Sequence, residues 1–216
     1  MKLDRRTMLL YAITDRAWLN GRTLYEQVEE ALKGGITCLQ LREKNLDYGS
    51  FLAEAIEIKQ LCQKYNVPFI INDNIDIALK CDADGVHIGQ RDTDARQARA
   101  LIGRDKILGV TAKTISQARK AAEDGADYLG TGAVFATSTK PDAIGISRDT
   151  LKSICQSVDL PIVAIGGINS KNILQLTGSG VDGVALVSAI FSAENITEEC
   201  HRLRQLSEKM VGQKGK

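Results

Sequence analysis

A chain of 216 residues, 44% hydrophobic and 25% charged, has the profile of an ordinary soluble globular protein and room for one large domain or two small ones. Its 28 Lys+Arg against 27 Asp+Glu leave a formal charge of +1, so no bulk positive field points to nucleic acid or a membrane surface. An anionic ligand would have to be held by locally placed cations.

The five cysteines (Cys38, Cys62, Cys81, Cys155 and Cys200) form no CxxC pair and no metal-ligand spacing, which predicts reduced, packed thiols in a cytoplasmic protein. The apolar run at 8–13 stops at Thr14-Asp15-Arg16, too short for a signal h-region, and no stretch is long enough to span a bilayer.

Along the chain, short β-rich runs alternate with helical patterns. Strands are predicted at 9–14, 37–43, 69–72, 85–88, 107–111, 128–132, 162–165 and 183–187. Thr23 with Glu26 has capping-box spacing ahead of the first helix. The next helix carries Tyr48, Phe51, Leu52, Ala55, Ile58, Cys62 and Tyr65 at helical period. Pro68 and Pro161 open strands three and seven, where no ladder donor is yet needed. Asn195 with Glu198 caps the last helix, whose apolar positions are Ile196, Cys200, Leu203 and Leu206, before a polar tail at 212–216 expected to fray.

A faint echo runs through the chain: GGIT, DADG, EDGAD and SGVDG precede strands two, four, six and eight. No linker interrupts the series. The expected architecture is therefore α/β, a single-domain (β/α)8 TIM barrel over residues 1–211, with an open doubly wound sheet as the alternative.

A barrel places functional residues at the C-terminal ends of its strands. After strand two, Gln40, Arg42 and Lys44 share one face by alternation, while Leu39 and Leu41 face the helices. The cations either meet an anionic ligand or pair with carboxylates on neighbouring strands. Asp73 and Asp92 follow strands three and four, where they either share a hard cation such as Mg²⁺ or cap helices. Gly166-Gly167 after strand seven and Ser188 after strand eight either cradle an oxyanion or form tight turns. The segment ATSTK at 136–140 is either a solvated loop or a phosphate grip. Gly130-Thr131-Gly132 lacks the rest of a dinucleotide fingerprint, and neither His87 nor His201 has metal or triad spacing. Trp18 receives no role.

In order, QLREK, INDN, VHIGQRD, TSTK with PDA, IGGI and LVSAI resemble the thiamine phosphate synthase family over nearly the whole chain. The resemblance implies an enzyme joining a hydroxymethylpyrimidine diphosphate to a thiazole phosphate, with small-molecule substrates, Mg²⁺ as cofactor and room for a homo-oligomer. It implies that Gln40, Leu41, Arg42, Glu43, Lys44, Asn72 and Lys140 hold the pyrimidine diphosphate and that Thr111 lies beside the pyrimidine. Asp73 and Asp92 would carry Mg²⁺, and Thr137, Ser138, Thr139, Gly167, Val187 and Ser188 would surround the thiazole phosphate. Arg42, Lys44, Lys140 and Thr111 are the implied catalytic set.

Three positions depart from the family pattern: Ala136 where proline is common, Thr111 for serine and Lys113 for histidine. A related thiazole tautomerase would need a histidine where Ala133 stands. A non-catalytic precursor-binding protein is the other alternative.

Overall fold

The structure is a computed structural model that describes residues 3–136 and 145–212. Eight parallel strands close in chain order into a barrel. They are β1 (Leu10–Ile13), β2 (Cys38–Leu41), β3 (Phe69–Asn72), β4 (Gly85–Ile88), β5 (Ile107–Thr111), β6 (Tyr128–Gly132), β7 (Ile162–Ile165) and β8 (Gly183–Leu186). Closure is made by β1 against β8, with Tyr11 opposite Ala185 on one side and Cys38 on the other.

The strands end slightly earlier than expected at the mouth of β1, β2 and β8. At β2 the cause is visible: the Arg42 N–H donates to the Thr14 hydroxyl (3.0 Å) rather than to a strand carbonyl. Pro68 and Pro161, lacking a donor, still supply carbonyls to Leu39 (3.0 Å) and Leu129 (2.9 Å).

Alternation along the strands builds two apolar layers. Leu10, Ala12, Leu39, Leu41, Phe69 and Ile71 lie with the helices in the outer core. Tyr11, Ile13, Cys38, Ile70, Tyr128, Val163 and Ala185 fill the barrel with Met8. The outer shell comprises α1 (Leu24–Lys33), α2 (Tyr48–Lys64), α3 (Ile75–Lys80), α4 (Ala95–Ile102), α5 (Ile115–Glu123), α6 (Arg148–Ser157), the short α7 (Ser188–Phe191) and α8 (Ile196–Gly212). Between β7 and β8 the chain forms a single 3-10 turn, Ile173–Leu176.

The Thr23/Glu26 capping box forms. Asn195 accepts from the Glu198 N–H at 3.0 Å. Tyr48, at the head of the α2 apolar stripe, is exposed instead of buried, and its hydroxyl donates to the Asp76 carboxylate. Gly212 belongs to α8, and the rest of the expected tail, 213–216, lies outside the described residues. Four cysteines are buried, Cys155 is partly buried, and none is disulfide-bonded.

The sequence echo has a structural cause at the closed end of the barrel. Thr37, Asp84, Asp127 and Asp182 each donate a backbone N–H to the start of the preceding strand, at the carbonyls of Leu10, Phe69, Leu108 and Ile162. Each side chain then accepts the N–H of that same residue, at 2.9 Å for Leu10, 2.7 Å for Phe69, 2.8 Å for Leu108 and 2.9 Å for Ile162. The aspartates are also held by cations: Lys59 at 2.8 Å from Asp84, Arg99 at 2.5 Å from Asp127 and Arg5 at 2.8 Å from Asp182. Strand N–H groups left over at this end are thereby satisfied.

Candidate active site

At the opposite end the strands open into a cavity of about 510 Å³. Gln40, 3% exposed, points into it from β2, with Arg42 and Lys44 above it on the loop, as the alternation requires. Both cations have carboxylate partners: Arg42 Nη1 lies 3.4 Å from Asp15 Oδ2, and Lys44 Nζ lies 2.6 Å from Asp73 Oδ2. Both still line the cavity.

Asp73 and Asp92 meet at the mouth, and neither caps a helix. Asn74 caps α3, accepting from the Ile77 N–H at 3.0 Å, and Asp94 caps α4. Asp73 adopts a left-handed backbone (φ +62) that aspartate tolerates better than most residues, and its N–H donates to the His87 carbonyl at 2.8 Å. Its Oδ2 accepts from both Lys44 and Asn72 Nδ2, each at 2.6 Å. Asp92 accepts from the Gly89 N–H at 2.8 Å. Burial, together with the adjoining Asp73 carboxylate, nevertheless pushes the Asp92 carboxyl above its ordinary range.

Among the described residues no cluster of three or more His, Cys, Asp or Glu could hold a metal. Two adjoining carboxylates suit a hard cation that retains water and takes its remaining ligands from a phosphate, as Mg²⁺ does. The donor set therefore fits such an ion.

The cavity floor holds residues that sequence reasoning left without a role. Gln40 Nε2 donates to the Tyr11 hydroxyl at 2.9 Å, and Tyr11 Oη is 2.7 Å from Tyr128 Oη. Tyr128 Oη is 2.9 Å from His87 Nδ1, and His87 Nε2 is 3.0 Å from Thr111 Oγ1. Burial lowers the His87 pKa to about 4, so the ring is neutral at physiological pH, and it lifts both phenols well above their ordinary value. The available signal was inward alternation: Tyr11, His87, Thr111 and Tyr128 all occupy inward positions of their strands.

On the far side, Gly166 and Gly167 have φ of +97 and +66. A Cβ at Gly166 would meet that of Ala133 at 2.5 Å, and one at Gly167 would meet the Ala136 carbonyl oxygen at 2.2 Å. The two glycines form a tight turn, and that turn also lines the cavity with Val187, Ser188 and Ala133.

Two side chains assigned to the diphosphate do not line the cavity. Leu41 is fully buried in the layer beneath the helices because alternation turns it outward. Glu43 is drawn aside by Arg16, with Arg16 Nε 2.9 Å from Glu43 Oε2. Thr137, Ser138, Thr139 and Lys140 lie outside the described residues. Lys113 stands on the cavity wall, Trp18 packs against the outer core, and His201 is exposed on α8. No helix among the described residues is long and apolar enough to cross a membrane.

Comparison with known proteins gives a consistent result. A family model described as thiamine monophosphate synthase matches residues 10–190. The thiamine-phosphate synthase of Clostridioides difficile strain 630 is 50% identical over 198 residues, covering 92% of this chain and 94% of that protein. That of Methanobrevibacter smithii is 54% identical over 193 residues, covering 89% and 92%. Among solved structures, a thiamine phosphate pyrophosphorylase from Pyrococcus furiosus superposes with a TM-score of 0.89 at 38% identity, covering 96% of this chain and 99% of that one.

Proposed function

This chain belongs to the thiamine monophosphate synthase family and is a transferase of that kind; we propose that it joins 4-amino-2-methyl-5-hydroxymethylpyrimidine diphosphate to a thiazole phosphate, releasing pyrophosphate. The observation that carries this reading is the meeting of Arg42 and Lys44 with the paired carboxylates of Asp73 and Asp92 at one cavity mouth. Such a set matches a diphosphate arriving with a divalent cation better than it matches a single phosphate.

In this reading the diphosphate leaves first, and the pyrimidine cation left behind is captured by the thiazole nitrogen. No enzymic nucleophile is needed, in keeping with a cavity that, among the described residues, is lined by no cysteine and by a hydrogen-bonded histidine. Arg42, Lys44 and Lys140 would bear on the departing charge, and Asn72 would hold the diphosphate. One cation in contact with it is worth roughly 4 kcal/mol at an effective dielectric near 20. Enzymes generally supply about 8 kcal/mol or more, so several charges must act together. Asp73 and Asp92 would hold Mg²⁺, which when bound offsets negative charge on the diphosphate oxygens. Gln40 and Thr111 would flank the pyrimidine. Thr137, Ser138, Thr139, Gly167, Val187 and Ser188 would receive the thiazole phosphate. Such small, charged substrates and products belong to the cytoplasm.

The test is a turnover assay with Mg²⁺ and both substrates, following thiamine phosphate and pyrophosphate with and without EDTA. Equal, EDTA-sensitive formation of the two products is the expected result. Binding of either substrate with no product would return the protein to the tautomerase or precursor-binding reading. Ala133, which brings only a methyl group to the cavity, already weighs against the tautomerase.

A further inference from the structure

The hydrogen bonds on the cavity floor are compatible with one continuous direction that starts from an amide at one end. The Gln40 nitrogen can only donate, so the Tyr11 oxygen accepts there, which leaves the Tyr11 proton available to Tyr128, 2.7 Å away. Tyr128 in turn is placed to donate to His87 Nδ1, 2.9 Å away. A neutral imidazole that accepts at Nδ1 carries its proton on Nε2, which then donates to Thr111 Oγ1 at 3.0 Å. The Thr111 hydroxyl, already an acceptor, has its own proton left to give, and it stands on the cavity wall. Turning the Gln40 amide over would reverse every bond: the proton would move to Nδ1, and Thr111 would donate back to His87.

We propose that Tyr11, Tyr128 and His87 form one positioning device that fixes His87 as the Nε2–H tautomer and aims the Thr111 hydroxyl into the cavity as a donor. Thr111 then selects a ring that presents an unprotonated nitrogen. This deepens the aminopyrimidine reading given above and rests on it for the identity of the ring.

The barrel is shaped around the device. A Cβ at Gly109 would lie 2.2 Å from the Tyr128 ring, so only glycine leaves that ring its place, and one at Gly130 would press on His87 Cε1 at 3.1 Å. The chain reaches from β2 to β5 across the cavity floor and uses residues of five strands. Burial supports the assignment, since it holds both phenols protonated.

The deciding experiment is long-range ¹H–¹⁵N NMR at neutral pH on the full chain labelled in its histidines, His87 and His201, with no substrate present. His87 is expected as a single tautomer protonated on Nε2, with exposed His201 as the averaging control. Tyr128→Phe removes the donor to Nδ1 and should release His87 into a mixture of tautomers. It should also lower kcat/KM for the pyrimidine diphosphate about tenfold, the scale of one uncharged hydrogen bond. KM for the thiazole phosphate should stay within about twofold. Thr111→Ser should keep most of the activity that Thr111→Val loses. Should Tyr128→Phe fail to fold, Tyr11→Phe interrupts the same chain and is read in the same way.

An Nδ1–H tautomer, or a Tyr128→Phe protein with unchanged tautomer and unchanged kcat/KM, overturns the proposal. The tautomer is read without substrate, so its failure is distinct from a failure to make thiamine phosphate.

Discussion

Lys44 Nζ sits 2.6 Å from Asp73 Oδ2, so a cation proposed for the diphosphate and a carboxylate proposed for the metal neutralise each other. Metal and diphosphate entering together would separate the pair: the metal takes the carboxylate, and the diphosphate takes the ammonium. Lys44 is half exposed, at 50%, which limits the coupling to about 1 kcal/mol, or roughly fivefold. Lys44→Gln is therefore expected to bind Mg²⁺ alone about two- to fivefold more tightly by calorimetry while losing turnover. Pyrophosphate should raise metal affinity in the parent protein and much less in the variant. Unchanged metal affinity in Lys44→Gln would separate Asp73 from the metal.

Arg16 serves two carboxylates, Glu43 at 2.9 Å and Glu54 at 2.5 Å, and one oxygen of each acid is buried without a hydrogen-bond partner among the described residues. Burial, opposed by Arg16 and reinforced by Glu43, raises the Glu54 pKa above its ordinary value. A carboxyl whose folded pKa is raised binds more protons in the folded state than in the unfolded one. Stability therefore falls as pH rises from the ordinary glutamate range through the folded pKa. Glu54→Gln keeps an acceptor for Arg16 and offers Glu43 a donor. It should stabilise the protein at pH 7.5 by about 1 kcal/mol, although it removes one charge from a salt bridge. Urea unfolding at pH 7.5 and near pH 4.5 is the check: the gain should shrink at the lower pH. A loss of stability at pH 7.5 would show the second negative charge to be needed.

The barrel was legible because its eight apolar runs are short, evenly spaced and bounded by glycine or proline. The inward face of Gln40, Arg42 and Lys44 followed from alternation alone. What alternation could not supply was reach between strands. Tyr11, His87 and Tyr128 are far apart in sequence, and only the ring register brings their polar atoms within 3.0 Å of a partner. That neither Asp73 nor Asp92 caps a helix also needed coordinates, because Asn74 and Asp94 take the caps that spacing allowed to either residue. The echo of DADG, EDGAD and SGVDG looked like a trace of repetition, and its aspartates proved to close the barrel floor.

Those floor aspartates carry a stability expectation that is independent of catalysis. Asp182 is 3% exposed and accepts from both Arg5 (2.8 Å) and the Ile162 N–H (2.9 Å). Asp182→Ala leaves a strand N–H without its acceptor and Arg5 with the exposed Asp159 (2.6 Å) and the Leu160 carbonyl (3.4 Å). The expected loss is about 2–3 kcal/mol, or roughly 5–10 °C in Tm for a domain of this size. The site lies at the other end of the barrel, so kcat at 25 °C should remain within about twofold. A stable Asp182→Ala would mean that water replaces the carboxylate without cost.

Gly109 separates packing from hydrogen bonding in the same residue pair. Its missing side chain leaves room for Tyr128: an alanine Cβ would stand 2.2 Å from the ring Cζ and 2.3 Å from Oη. Tyr128 itself is fully buried and cannot swing aside without disturbing Tyr11 or His87. Gly109→Ala should therefore destabilise the protein by about 1–3 kcal/mol through overpacking. It should also break the chain to Thr111, lowering kcat/KM about tenfold. Adding Tyr128→Leu empties the contested space. Gly109→Ala/Tyr128→Leu should thus recover much of the lost Tm and none of the lost kcat/KM. Recovery of both would make Tyr128 a space-filling residue, whereas recovery of stability alone assigns its hydroxyl to the site.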